Sequence, residues 1–133
     1  MLHSLNEIVS TLRKAGRGAG LDDGAAEDIA RAAGLAVAAN EDGFAWALDA
    51  LRDVGAAGAL VAAADLIEAG ETVEAPGSPL LPWLLSDEDP GFGAFEIAAD
   101  AWAAALALAH ETYVPASDAS RLAGAGAGTS DND

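Results

Sequence analysis

An all-α fold, one bundle of four to five helices, is what this chain predicts, and three observations carry the expectation. Apolar residues recur at helical rather than alternating spacing in five separate stretches. Serine or aspartate stands where these stretches begin and glycine where several of them end. Hydrophobic residues make up 52% of the sequence but aromatics only 5%, alanine supplying much of the difference. Such a core relies on close helix approach across small side chains, with Phe44, Trp46, Trp83, Phe92, Phe95, Trp102 and Tyr113 as its large anchors.

In the first helix, Ser4 and Glu7 have capping-box spacing, and Leu5, Ile8, Val9 and Leu12 follow as an i, i+3, i+4, i+7 stripe. Gly16 or Gly18 is expected to supply its left-handed cap. Asp22 or Asp23 starts the second helix, which runs to about Asn40 with a small inward face of Ala26, Ile29, Ala33, Ala36 and Val37. Asp42 caps the third, which carries Phe44, Ala47, Leu48 and Leu51 and is expected to end at Gly55. The fourth spans about Ala56 to Ala69, with Leu60, Val61, Ala64 and Ile67 inward and Gly70 as its stop.

Between Glu71 and Pro90 the pattern changes, because four of the five prolines lie at positions 76, 79, 82 and 90 around the apolar Leu80–Leu85. An interior proline costs a helix ~3 kcal/mol, so this segment is expected to cross the bundle irregularly, packing through Trp83. The fifth helix, about Gly93 to Thr112, carries Phe95, Ala98, Ala99, Trp102, Leu106, Ala109 and Tyr113 on one face. Ile97, Ala101 and Leu108 lie on the other, so it reads as the central helix of the bundle or as part of a dimer interface. Pro115 blocks its continuation. Residues 1–122 are expected to form one helical domain, and 123–133 a glycine-rich tail, flexible or folded back on it.

Composition narrows the function classes. Six basic residues face twenty-two acidic ones, for a formal charge of -16, which argues against nucleic acid and anionic membrane as partners. The same balance suits salty surroundings. The apolar run Ala101–Ala109 is too short to span a bilayer, no segment reads as a signal peptide, and a cytoplasmic location is expected. Without cysteine there is no disulfide, thiolate metal site or cysteine nucleophile.

Three of the six bases, Arg13, Lys14 and Arg17, fall within five residues. On the first helix Asn6, Ser10, Arg13 and Arg17 share one polar flank, a set of donors suited to a carboxylate or phosphate. Solubility and complementation of the helix dipole account for the same cations. Gly16, Gly18 and Gly20 follow a helix and lack the G-x-G-x-x-G spacing, so they are no dinucleotide loop. His110 and Glu111 are the acid–base candidates, although a histidine in a last turn is also a routine helix-terminal residue. The only other histidine, His3, is distant in sequence, so no histidine metal site and no cofactor are predicted. Glu96 and Asp100, read as one turn apart on the fifth helix, form a possible carboxylate pair or two solvated side chains. Ser117 and Ser120 have no nucleophile elbow around them.

Two sets of segments resemble a family of uncharacterised bacterial proteins, a domain of unknown function. They are Ser4-Leu5-Asn6-Glu7 with Arg17-Gly18-Ala19-Gly20-Leu21, and Tyr113-Val114-Pro115-Ala116-Ser117 with Ser120 to Gly128 and Asp131-Asn132-Asp133. The resemblance carries over no catalytic residue. It implies that the 121–133 segment is not idle. Arg121 therefore joins Asn6, Ser10, Arg13 and Arg17 as a ligand-binding candidate, with Asp131 or Asp133 expected near Arg13 or Arg17. Two readings stand at this point. One is a helix-packing module without chemistry, self-associating as a homo-oligomer through the fifth helix or Leu80–Leu85. The other is a small enzyme or binding protein holding an anionic metabolite on the Asn6/Ser10/Arg13/Arg17 flank.

Overall fold

A computed structural model describes residues 1–111. Within them the order is β1 (Leu2–Ser4), α1 (Leu5–Ala19), α2 (Asp23–Ala38), α3 (Gly43–Leu51), α4 (Val54–Glu68), α5 (Leu81–Leu84), β2 (Ala94–Glu96) and α6 (Ala99–His110). The expectation of a mostly helical bundle holds. The tail 123–133, Arg121, Tyr113, Pro115, Ser117, Ser120, Asp131 and Asp133 lie outside the described residues.

The helix boundaries follow from local hydrogen bonding. Ser4 Oγ accepts from Glu7 N, Asp22 Oδ1 from Ala25 N and Asp53 Oδ1 from Ala56 N, at 3.1, 2.8 and 3.1 Å, capping α1, α2 and α4. Three helices end in one way. Gly20, Asn40 and Gly70, all at positive φ, each donate to the carbonyl three residues back, and the next residue donates five back. That is the Schellman pattern, in which a left-handed residue satisfies the last carbonyls. The cap of α1 is therefore Gly20, not Gly16 or Gly18. Gly55 does not end α3; Arg52 already caps it, and Gly55 sits in the first turn of α4.

Gly16 and Gly18 serve packing instead. A Cβ at Gly16 would stand 3.0 Å from Ala26 Cβ, and one at Gly18 would stand 2.6 Å from the Leu108 carbonyl carbon and overlap its oxygen. The glycine-spaced run at the end of α1 thus divides three tasks: approach to α2, approach to α6, and the cap.

The core lies between α1 and α2, with α3, α4, α5 and α6 laid around them. Leu5, Ile8, Leu12, Ile29 and Leu80 are its large fully enclosed side chains. Leu80 and Leu84, rather than Trp83, anchor the proline-rich crossing; Trp83 and Trp46 are only half buried. Arg31 of α2 fastens this crossing by donating to the carbonyls of Ser86, Leu84 and Glu88 at 2.7, 3.3 and 3.4 Å.

The expected fifth helix begins too early. Residues 94–96 form β2, antiparallel to β1 with Leu2 opposite Glu96, His3 opposite Phe95 and Ser4 opposite Ala94. Three-residue strands have no periodicity to reveal them, and Phe95 happens to fall in register with the helix that follows. Nor is α6 central. It packs on α1 and α3, with Leu108 and Ala109 against Gly18 and Trp102 against Phe44, while Ala103, Ala104, Leu106 and Ala107 are exposed. Phe92, expected as an anchor, is 98% exposed.

Candidate functional site

The predicted polar flank is one wall of a real hollow. Asn6, Ser10, Arg13 and Arg17 line a depression of about 510 Å³ together with Lys14 and, from α2, Asp23 and Glu27, so that three cations face two carboxylates. The helical spacing that aligned the four on paper brings them together in space. Val9, Ala30 and Ala109 supply apolar wall.

Asp23 is the member that sequence reasoning missed. Arg13 donates to it through Nε at 3.2 Å and through Nη2 to both oxygens at 2.9 Å, and Arg17 Nη1 adds a bond of 3.1 Å. Two guanidinium groups thus converge on one carboxylate, the forked geometry arginine makes well. The Arg13 hydrogen bond is the largest influence in holding the Asp23 carboxyl below the usual carboxylate range, and its counterpart raises Arg13. A signal was present: Asp22 and Asp23 are adjacent, only one is needed as the N-cap, and the other turns back towards α1 across the short α1–α2 connection.

The acid–base candidates stand apart from this hollow. His110 is the last residue of α6 and Glu111 its cap, both exposed; their neighbour Ala109 reaches the hollow, and they do not line it. Glu96 and Asp100 are not a helical pair, since Glu96 lies on β2, ion-paired with the Met1 amino group, and Asp100 is in the first turn of α6. Among the described residues no three His, Asp or Glu side chains gather as a metal site. No helix of the described residues is long and apolar enough to cross a membrane.

His3, unlike the exposed groups of the hollow, is an enclosed polar side chain. It is 7% exposed and stacks on Trp102 with centroids 3.6 Å apart and planes 11° from parallel; Trp102 in turn stacks on Phe44 at 5.7 Å. Its Nδ1 lies 3.2 Å from Glu7 Oε1, and its Nε2 is buried without a hydrogen-bond partner. The column ties β1 to α6 and α3.

Residues 3–51 match the family model described as a protein of unknown function (DUF3726). That stretch runs from β1 through α3 and includes Asn6, Ser10, Arg13, Arg17 and Asp23. No curated protein and no solved structure matches the chain.

Proposed function

We propose that this protein is a recognition module whose α1 flank receives carboxylate groups. The observation that carries the reading is the convergence of Arg13 and Arg17 on the Asp23 carboxylate within a hollow also lined by Asn6, Ser10 and Lys14. In a molecule of net charge -16, the surrounding field repels anions, and a local cluster of cations is where one docks. Asp23 then acts as a resident stand-in that an incoming carboxylate displaces. The reading assigns binding rather than chemistry, because the flank offers donors while His110 and Glu111 stand away from it. A panel of small carboxylates and inorganic phosphate, screened by thermal shift at low ionic strength, tests it. Carboxylates are expected to raise the melting temperature of the wild type and not of Arg17→Ala; a panel without any shift removes the proposal.

Self-association through α6 is the second reading, favoured by Leu106, 41% exposed on an outward face otherwise made of Ala103, Ala104 and Ala107. Light scattering at high micromolar concentration tests it: on this second reading alone, Leu106→Glu leaves a monomer. In Leu80–Leu85, the other interface expected, Leu80 and Leu84 are enclosed in the protein's own core, which leaves Leu81, Pro82, Trp83 and Leu85 for a second copy.

A further inference from the structure

The loop between α5 and β2 presents Phe92 to water although both of its flanks are held. On the near side Arg31 grips the carbonyls of Leu84, Ser86 and Glu88. Pro90 then seats against α2: a Cβ at Gly34 would stand 3.2 Å from Pro90 Cγ and 2.6 Å from Val9 Cγ2. On the far side Leu5 N donates to Gly93 O at 2.8 Å. Gly91 and Gly93 have φ of 86° and 138°, conformations that lift the intervening phenylalanine off the body. Directly before it run Asp87, Glu88 and Asp89, all exposed. A phenyl ring is a large apolar surface to leave in water. The pinned backbone keeps Phe92 from folding back on the described residues, none of which covers it.

The complementary surface lies on the same side of the protein. Val9 lines the α1 hollow and also meets Gly34 beside Pro90, so the acidic loop and the basic hollow are neighbours. The hollow combines Arg13, Lys14 and Arg17, outnumbering the carboxylates Asp23 and Glu27 by one charge, with apolar wall from Val9, Ala30 and Ala109. We infer that two copies of this chain pair about a two-fold axis, each inserting its Asp87–Phe92 loop into the α1 hollow of the other. Two complementary patches side by side on one face are what an isologous contact requires. The inference rests on the reading of that flank as a carboxylate receptor and names its ligand: an acidic, aromatic loop of a second copy. The guanidinium pair takes loop carboxylates, and the apolar wall takes the phenyl ring.

Sedimentation equilibrium over a wide concentration range tests this. The wild type is expected to form a dimer that Phe92→Ser weakens about tenfold or more and that Leu106→Glu leaves intact. A charge exchange makes the test specific. Asp87→Lys/Asp89→Lys and Arg13→Glu/Arg17→Glu are each expected to be monomeric alone and to dimerise when mixed, because the mixed pair again sets opposite charges in both contacts. All four changes are on exposed side chains, and circular dichroism checks that the fold is kept. A wild type that stays monomeric at high micromolar concentration, a mixture that stays monomeric, or a dimer broken by Leu106→Glu and not by Phe92→Ser overturns the inference. Titrating succinate into Phe92→Ser separates the two levels: binding without dimerisation in any variant leaves the carboxylate site standing and the dimer refuted, whereas no binding refutes the site itself.

Discussion

The same chemical change, glycine to alanine inside a helix, is expected to have opposite signs at two positions. In a helix interior alanine is favoured over glycine by about 1 kcal/mol, since glycine loses more backbone freedom on folding. Gly58 in α4 has open space where a Cβ would go and no positive φ, so Gly58→Ala collects most of that gain. At Gly18 the new Cβ would stand 2.6 Å from the Leu108 carbonyl carbon and 3.3 Å from Ala109 N. Its nearest neighbour would be the Leu108 carbonyl oxygen at 1.6 Å, whereas non-bonded heavy atoms keep roughly 3 Å or more apart, so α6 must retreat by about 1.5 Å. A gap of that size forfeits about half or more of the dispersion attraction along the α1–α6 seam, where Leu108 and Ala109 meet Gly18. Overpacking costs about 1–3 kcal/mol elsewhere, and here the obstacle is backbone, which cannot rotate aside. Against the propensity gain the net expectation is a loss of about 2 kcal/mol for Gly18→Ala, beside a gain of about 0.5–1 kcal/mol for Gly58→Ala. Urea unfolding followed by far-ultraviolet circular dichroism reads both. A Gly18→Ala protein as stable as the wild type would refute the close α1–α6 approach.

Further expectations concern polar groups. Replacing His3 by Phe keeps the stack on Trp102 but removes both the buried unpartnered Nε2 and the Nδ1 contact with Glu7, terms of about 1 kcal/mol each and opposite sign, so stability in urea unfolding should change by less than about 1 kcal/mol; a loss of about 2 kcal/mol or more would mean that Nε2 has a partner. Arg31→Met retains the stem but abandons three carbonyls, for a loss of about 2 kcal/mol and a red shift in tryptophan emission as the Trp83 segment loosens. Two aspartates should give opposite pH dependences. Asp23, held below its unfolded value by Arg13, stabilises the fold above the ordinary carboxylate range and loses that contribution as pH falls through its depressed folded value. Asp28, raised by burial despite Arg31, with Asp65 and Glu68 adding to the rise, favours the fold only while protonated, and that contribution is lost as pH climbs. Melting curves should therefore show Asp28→Asn above the wild type at neutral pH, with the advantage fading in acid.

Periodicity and caps in the sequence locate most of the helices, though not every boundary. Ser4 and Asp22 start helices, Gly70 stops one, and the i, i+3/i+4 spacing of Asn6, Ser10, Arg13 and Arg17 puts them on one hollow. What escaped was tertiary. Gly16 and Gly18 read as caps because helix-ending glycines usually are; only the positions of Ala26 and Leu108 show them to be sites of close approach. Residues 94–96 form a strand because β1 lies beside them, a pairing nearly the whole described chain apart. The ion pairs of Asp23 and the enclosure of His3 depend on how α1 meets α2 and α6. Hydrophobicity alone points Phe92 to the core, whereas the loop geometry that keeps it outside is set by Arg31, Pro90 and two glycines acting together.

Calorimetric titration of succinate into wild type, Asp23→Asn and Arg13→Gln/Arg17→Gln at low ionic strength addresses the carboxylate site most directly. Removing one negative charge in contact with the ligand position is worth about 1 kcal/mol in water, which is about fivefold in affinity. Asp23→Asn is therefore expected to bind about five times more tightly than the wild type, and the arginine double variant not at all. Asp23→Asn binding no better than the wild type, or no heat from any of the three, would contradict the claim that Asp23 holds the place of an incoming carboxylate.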